Sequence, residues 1–398
     1  SSITKDIIYV GVNDHDVDLF EGQYIVPNGM AYNSYVIMDE RIAVMDTVDA
    51  HFGEEWLSNV KEALNGREPD YLVVQHMEPD HSANVANFVA AYPNAKIVGN
   101  AKTFAMIADF FDITIPEENK VTVANGESLS LGAHQLTFVF APMVHWPEVM
   151  VSFDVTDGTL FSADAFGTFG ALDGNLFADE INFVSEKLPE ARRYYANIVG
   201  KYGAPVQALL KKAAALPVKT VCPLHGPVWR ENIAWFVDKY DKWSSYTPEE
   251  NAVAIFYGSV YGHTQEAAEI LASCLADLEV KNIKVYDVSA RHSSYLVAEA
   301  FRCSHLVFAS STYNAGIFEN MDILIDDLIK HALQNRKVAL IENGSWASTA
   351  GMLMKEKLSK CKNTEFIGDV VTIKSALKEN QLADIKALAQ KIASSLDG

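Results

Sequence analysis

Apolar and polar positions divide the chain into two stretches of different rhythm. They meet at the polar, proline-containing run Trp243-Ser244-Ser245-Tyr246-Thr247-Pro248-Glu249-Glu250, which reads as a linker. Before it, short apolar runs predict strands at Ile7–Val12, Ser34–Met38, Ile42–Val48, Tyr71–Val74, Lys96–Val98, Leu136–Phe140, Met150–Phe153, Thr159–Ser162 and Thr220–Cys222. Amphipathic spacing predicts helices at Glu54–Leu64, Ser82–Ala91, Lys102–Phe110, Ala191–Val199, Pro205–Ala215 and Asn232–Lys242. Runs of strands with unevenly spaced helices point to a two-sheet α/β sandwich covered by helices. After the linker, strands Val253–Tyr257, Ile283–Asp287, His305–Ala309, Lys337–Ile341 and Val370–Ile373 alternate with helices Thr264–Leu278, Ser294–Phe301, Asn320–Ile329, Thr349–Leu358 and Asp384–Ser394. That alternation is the layout of a small doubly wound parallel sheet. Two domains are therefore expected, residues 1–248 and 249–398.

Composition narrows the partners. A net charge of −20 leaves little to neutralise phosphates, so neither nucleic acid nor an anionic membrane surface is an expected partner. No run approaches the length of a membrane span, and the first residues lack the order of a signal peptide. The four cysteines, Cys222, Cys274, Cys303 and Cys361, form no Cys-x-x-Cys pair. They read as free thiols in a reducing cytoplasm, with Cys222 a buried strand residue.

The chemistry concentrates at predicted strand ends. His76-Met77-Glu78-Pro79-Asp80-His81 places two imidazoles and two carboxylates just after the apolar run Tyr71-Leu72-Val73-Val74. His145, Asp164 and His225 each follow another strand. Nitrogen and oxygen donors without thiolate favour iron, manganese or zinc over copper(I) or an iron–sulfur cluster. Seven donors exceed one tetrahedral ion; they suit two ions, each with two histidines and a carboxylate, and one carboxylate shared. Three carboxylates would offset most of the charge of two divalent cations.

The order His-x-Glu-x-Asp-His, then His, Asp and His, resembles the metallo-β-lactamase superfamily. Hydrolases there usually carry His where this chain has Glu78. The Glu variant, with His145-Trp146-Pro147, Asp164-Ala165-Phe166-Gly167 and His225-Gly226-Pro227-Val228-Trp229-Arg230, resembles the flavodiiron proteins (A-type flavoproteins) over essentially the whole chain. A harder anionic donor at Glu78 suits redox iron better than hydrolytic zinc. The resemblance implies one iron on His76, Glu78 and His145, the other on Asp80, His81 and His225, with Asp164 bridging. Family members differ over whether the imidazole at the His81 position or a solvent molecule coordinates. Tyr194 and Tyr195 are candidates to hydrogen-bond an iron-bound species from the catalytic surroundings.

In the second domain, strand Val253–Tyr257 runs into Gly258-Ser259-Val260-Tyr261-Gly262-His263-Thr264 and then a helix. Hydroxyls and free N–H groups at a helix N-terminus suit a phosphate. The loop has neither the Lys of a P-loop nor G-x-G-x-x-G; it resembles the phosphate loop of flavodoxins, which hold FMN. Ser259, Tyr261, Gly262, His263 and Thr264 would take the phosphate. The later loops Ser310-Ser311-Thr312-Tyr313-Asn314-Ala315-Gly316 and Asn343-Gly344-Ser345-Trp346 lie where the isoalloxazine of a sheet ordered 2-1-3-4-5 would rest, with Tyr313 and Trp346 flanking it.

FMN and two non-haem irons without a substrate motif suggest reduction of a small diatomic molecule. Four-electron reduction of O2 to water is expected, with reduction of NO to N2O as the alternative. A zinc hydrolase of glyoxalase II or thioesterase type with a flavodoxin tail is the lesser alternative. The resemblance further implies a head-to-tail homodimer or dimer of dimers, which would set FMN beside the partner's irons, and an external electron donor, rubredoxin or reduced F420.

Overall fold

The structure, a computed structural model, describes residues 1–396. By backbone contacts the chain divides into two compact units, one formed by Ser1–Tyr195 and Ala204–Asp241, the other by Ala196–Gly203 and Lys242–Gly398.

The first unit packs two sheets face to face. One runs in the order Ile7–Tyr9, Tyr35–Ile37, Ala43–Met45, Tyr71–Val73, Lys96–Gly99 and Lys120–Thr122. From Ala43–Met45 onward its strands are parallel, so each crossover needs a helix: Gly53–Leu64, Val85–Ala91 and Ala101–Phe110 supply them. Gly53–Leu64 buries Trp56, Val60 and Leu64 at helical spacing and stops at Asn65, whose φ of 48° turns the chain into the left-handed region. The other sheet runs Ser128–Ser130, Gln135–Phe140, Met150–Asp154, Thr159–Phe161 and Thr220–Cys222. Between the two sheets lie Tyr35, Ile37, Met45, Val73, Leu136, Phe138, Met150, Phe161 and Cys222, all buried.

Pairing directions decide where the functional loops emerge. Gln135–Phe140 is antiparallel to Met150–Asp154, which is antiparallel to Thr159–Phe161; the last pairs in parallel with Thr220–Cys222. The C-terminal ends of three of these strands therefore share one edge, and His145, Asp164 and His225 follow those ends.

The second unit is a parallel sheet in the order Ile283–Asp287, Glu250–Gly258, Cys303–Tyr313, Lys337–Asn343, with Glu365–Phe366 and Val371–Ile373 on the far edge. This is the expected 2-1-3-4-5 arrangement. Glu379–Leu396 and His263–Asp277 close one face over Val253, Ile255, Val307 and Ile341.

Local departures have local causes. The helix expected over Ser82–Ala91 is broken into Pro79–Ser82 and Val85–Ala91, because the Asn84 amide between them donates to the Val48 and Asp49 carbonyls at 2.8 and 3.0 Å. The helix expected at Ala191–Val199 is α-helical only to Tyr194 and widens into a π turn over Tyr195–Val199. Trp243 and Ser244 are the end of helix Ile233–Ser244 rather than linker, and Trp243 is fully buried with its indole N–H on Glu249 at 2.8 Å.

Candidate metal centre and flavin cavity

Every one of the seven predicted donors is buried, and they converge as two groups: His76, Glu78, His145 and Asp164; and Asp80, His81 and His225. Asp164 lies between them. Its Oδ2 is 3.2 Å from both His76 Nε2 and His145 Nε2, while Oδ1 is 3.2 Å from His81 Nε2 and 3.6 Å from His225 Nε2. Glu78 Oε2 faces His76 Nε2 at 3.3 Å and His145 Nε2 at 3.0 Å; Asp80 Oδ2 faces His81 and His225, each at 3.2 Å. His81 and His225 bring their Nε2 atoms within 3.0 Å of each other, so His81 points inward like the rest.

Outer hydrogen bonds fix two rings. His225 Nδ1 donates to the Ala31 carbonyl at 2.7 Å, and His76 Nδ1 to Glu148 at 2.8 Å. Each bond leaves the Nε2 lone pair directed at the cluster. Phe20 and Tyr32 stand edge-on to the His225 ring at 5.5 and 6.0 Å.

The electrostatics call for cations. Burial alone would lower the histidines, yet Asp164, Glu148 and Glu78 hold His76 well above its ordinary value, and Asp164 and Glu78 push His145 up to about 9. His225 is raised against burial by Asp80 and Asp164. Burial likewise opposes ionisation of Glu78 and Asp164, but the facing imidazoles keep both well below the carboxylate range. Both oxygens of Asp80 and of Asp164 are buried without a hydrogen-bond donor among the described residues. Four such oxygens beside convergent imidazole nitrogens are costly unless positive charge sits among them. The donor set therefore fits a pair of metal ions.

Of the two tyrosines, Tyr194 is the one beside the cluster. Its ring is 5.4 Å from His225, its hydroxyl is buried with no hydrogen-bond partner among the described residues, and burial followed by Asp164 and Glu78 raises its pKa far above that of a free phenol. Tyr195 instead packs edge-on against Tyr240 at 5.0 Å.

Three residues escaped the sequence reading. Glu148 backs His76. Asp46 accepts from the Gln75 backbone N–H and side chain, each at 2.8 Å, which fixes the chain entering His76. Glu21 sits on the rim of a cleft of about 650 Å3 that it lines with Phe20, Tyr32, Asp49, Glu78 and Asp80. Partial burial and then the adjacent Glu78 carboxyl raise Glu21 to about 8. The His-Trp-Pro-Glu order was visible, but one glutamate past a proline carries no ligand spacing. Two-residue strands such as Leu19–Phe20 carry no periodicity.

In the second unit, loops at the C-terminal sheet edge enclose a cavity of about 440 Å3. The predicted residues Ser259, Tyr261, His263, Thr264, Ser311, Thr312, Tyr313, Asn314, Ala315, Asn343, Gly344, Ser345 and Trp346 line it. Gly262 and Gly316 do not. Gly262 caps helix His263–Asp277 at φ 95°, where a side chain would be strained, and its N–H donates to Ser259 Oγ at 3.0 Å. Gly316 belongs to the short strand Gly316–Ile317 behind the loop. Thr264 and Ser311 hydroxyls meet at 2.8 Å. Ser375, not anticipated, also lines the cavity and bonds Ser345 at 2.9 Å. Trp346 and Tyr261 are 94% and 90% exposed, so little within the unit restrains them. No helix among the described residues is long and apolar enough to cross a membrane.

Comparison with known proteins agrees with both halves. Residues 30–226 match the ODP family of β-lactamase-like domains and residues 255–387 the flavodoxin family. The chain is 31% identical over 349 residues to an anaerobic nitric oxide reductase flavorubredoxin of Vibrio vulnificus, covering 86% of this chain and 70% of that protein. An Escherichia coli protein of the same name is 30% identical over 353 residues, covering 87% and 73%. Among solved structures, rubredoxin oxygen:oxidoreductase from Desulfovibrio gigas superposes with a TM-score of 0.92 at 27% identity, covering 100% of this chain and 98% of that one. The flavodiiron protein of Giardia intestinalis shares the fold at a TM-score of 0.88 and 24% identity, covering 99% and 97%.

Fold and site together define a flavoprotein oxidoreductase in which a metallo-β-lactamase-like metal domain is joined to a flavodoxin-like domain. The chain belongs to the flavodiiron protein family, whose members carry FMN and a diiron site and reduce O2, NO or both.

Proposed function

We propose that the chain reduces O2 to water at a diiron centre supplied with electrons by FMN. The observation that carries this reading is the central carboxylate Asp164, one oxygen turned to each group of imidazoles. His76, Glu78 and His145 would hold one iron and Asp80, His81 and His225 the other, with Asp164 placed between the two groups to serve both. When bound, the irons supply a binding place for a diatomic molecule and two electrons, and reduced FMN supplies two more, matching the four that O2 needs. Around them the protein's own groups do the rest. Glu78, Asp80 and Asp164 would offset most of the charge of the irons, Phe20 and Tyr32 wall the His225 side, and the Tyr194 hydroxyl lies buried beside the cluster as a proton-bearing donor. Tyr195 has no comparable place, and its role is packing against Tyr240.

NO reduction to N2O, which needs two electrons for two NO, is the second reading, favoured by the names of the relatives in Vibrio and Escherichia. Anaerobically reduced enzyme offered O2 or NO separates the readings, with O2 uptake and N2O release as measurements. O2 turnover at least tenfold above NO is expected; the reverse ratio makes the enzyme an NO reductase. The zinc hydrolase alternative is disfavoured by Glu78 and would require zinc in the purified protein with esterase turnover. Tyr194→Phe should lower turnover while leaving iron content intact, and equal turnover would remove Tyr194 from the reaction.

We divide the functional domains at 248/249, where strand Glu250–Gly258 is about to begin. In the flavin cavity Ser259, Tyr261, His263 and Thr264 would take the phosphate, with Gly262 shaping the turn that presents them, and Tyr313 and Trp346 would flank the ring. The exposure of Trp346 and Tyr261 supports a second copy of the chain covering the flavin, as a head-to-tail dimer or dimer of dimers in the cytoplasm. Sedimentation velocity checks the assembly. Electrons come from rubredoxin or reduced F420, and stopped-flow reduction of the flavin by each identifies the donor.

A further inference from the structure

The three carboxylates among the metal donors leave two divalent irons one charge short of neutrality. The structure supplies a fourth. Glu148 follows His145-Trp146-Pro147 and precedes strand Met150–Asp154; it is fully buried. A single oxygen, Oε1, takes both of its side-chain hydrogen bonds: 2.8 Å from His76 Nδ1 and 2.7 Å from the Met77 backbone N–H. The other oxygen, Oε2, is buried with no partner among the described residues. Its own carbonyl is anchored by the Asn100 amide at 2.6 Å. A buried carboxylate with one unsatisfied oxygen is costly unless its charge serves something nearby, and the nearest candidate is the ion that His76 faces with its other nitrogen.

We propose that Glu148 is a positioning and charge-balancing residue of the diiron centre, orienting His76 and adding a buried negative charge to those of Glu78, Asp80 and Asp164. The inference rests on the diiron reading above. With Glu78, Asp80, Asp164 and Glu148 ionised and the four imidazoles neutral, two Fe(III) carry more uncompensated positive charge than two Fe(II). Removing one negative charge therefore disfavours the oxidised pair more than the reduced pair, and the midpoint potentials rise.

Because Oε1 alone accepts both hydrogen bonds, Glu148→Gln keeps both through its amide oxygen and places the amide nitrogen where Oε2 now has no partner. The substitution removes charge with little change of shape. Its test is iron content by elemental analysis combined with a redox titration of the metal centre followed by electron paramagnetic resonance. The glutamine variant is expected to hold two irons at more positive potentials than the wild type. Glu148→Asp keeps the charge but withdraws the oxygen, and should show near wild-type potentials with weaker iron retention. Glu148→Leu removes both, and iron binding should weaken about 10–100-fold, as when an outer-shell partner of a metal ligand is lost. A glutamine variant with both irons at wild-type potentials overturns the proposal and leaves the diiron reading standing. Should E148Q not fold, E148D decides: potentials raised despite the retained charge would overturn it. Wild-type protein that takes up no iron overturns both.

Discussion

Two of the places where this molecule buries imidazoles treat them in opposite ways. In the metal centre, His76, His145 and His225 face carboxylates and are pushed above the usual histidine range against the effect of burial. In the flavodoxin-like unit, His305 is equally buried at 2% exposure but meets hydroxyls, Ser304 Oγ at 2.7 Å and Ser395 Oγ at 2.9 Å. Burial, with Lys337 beside it, pushes His305 down to about 4. Burial is thus common to both, and the partners decide. Hydroxyls let a ring stay neutral and pin the last helix to the sheet; convergent carboxylates demand a positive charge that protons supply poorly and metal ions supply well.

The largest expected effect comes from removing the shared carboxylate. Asp164→Asn takes an anionic oxygen from both groups of imidazoles at once. Iron content should fall well below two per chain, and O2 or NO turnover should fall roughly a thousandfold or more. Full retention of both irons in this variant would mean that Asp164 does not bridge.

Next in size is a pair of opposite pH dependences. A base raised in the folded state stabilises it fully below its unfolded pKa of about 6.5 and loses that contribution as pH rises through the folded value, about 9 for His145. Metal-free protein should therefore lose thermal stability from neutral pH towards pH 9, and reconstitution with iron should abolish that loss. His305 has the reverse sign. Its contribution is present above about pH 6.5 and falls as pH drops towards the folded value of about 4, by about 2 kcal/mol. Thermal melts between pH 7 and 4 check this, and His305→Gln should flatten the acid limb. Acid and alkaline limbs of the same sign would break the contrast.

The sequence made the two regions legible to different degrees. All seven candidate metal donors stand after strand ends, because the parallel strands of one sheet and the alternate, like-directed strands of the other deliver those ends to a common edge. The flavin loops were legible for the same reason, each following a strand of the 2-1-3-4-5 sheet. What stayed hidden depends on tertiary context. Glu148 acts only because the chain folds it behind His76, some seventy residues away. Tyr194 and Tyr195 were indistinguishable until the helix widened into a π turn at Tyr195 and gave the two rings different neighbours. Glu21 lies on a hairpin whose strands are too short to show a period.

Smaller effects are expected at the flavin cavity, whose wall is hydroxyls and backbone rather than buried charge. Thr264→Ala removes the hydroxyl that meets Ser311 at the helix start. It should weaken FMN binding about tenfold, the worth of about one good hydrogen bond. Trp346→Ala, at a nearly fully exposed ring, should weaken it less in a monomeric preparation. Titration of apoprotein by flavin fluorescence quenching measures both. A larger loss at Trp346 would show that stacking outweighs the phosphate loop.

The smallest effect is also the one most able to separate stability from function within the metal unit. The turn Phe20–Gln23 is closed by the Gln23 N–H on the Phe20 carbonyl at 3.1 Å, and both central residues, Glu21 and Gly22, have positive φ, 50° and 65°. Such a turn favours Asn-Gly, because a left-handed backbone is unfavourable for a long side chain by about 1 kcal/mol. Glu21 also brings a carboxyl against Glu78. Glu21→Asn should therefore stabilise metal-free protein by about 0.5–1 kcal/mol in urea unfolding, by relieving the left-handed strain. Destabilisation instead would mean that the Glu21–Glu78 contact contributes more to the fold than the turn geometry costs, and the rim of the cleft would then belong with the buried centre rather than with the solvated surface.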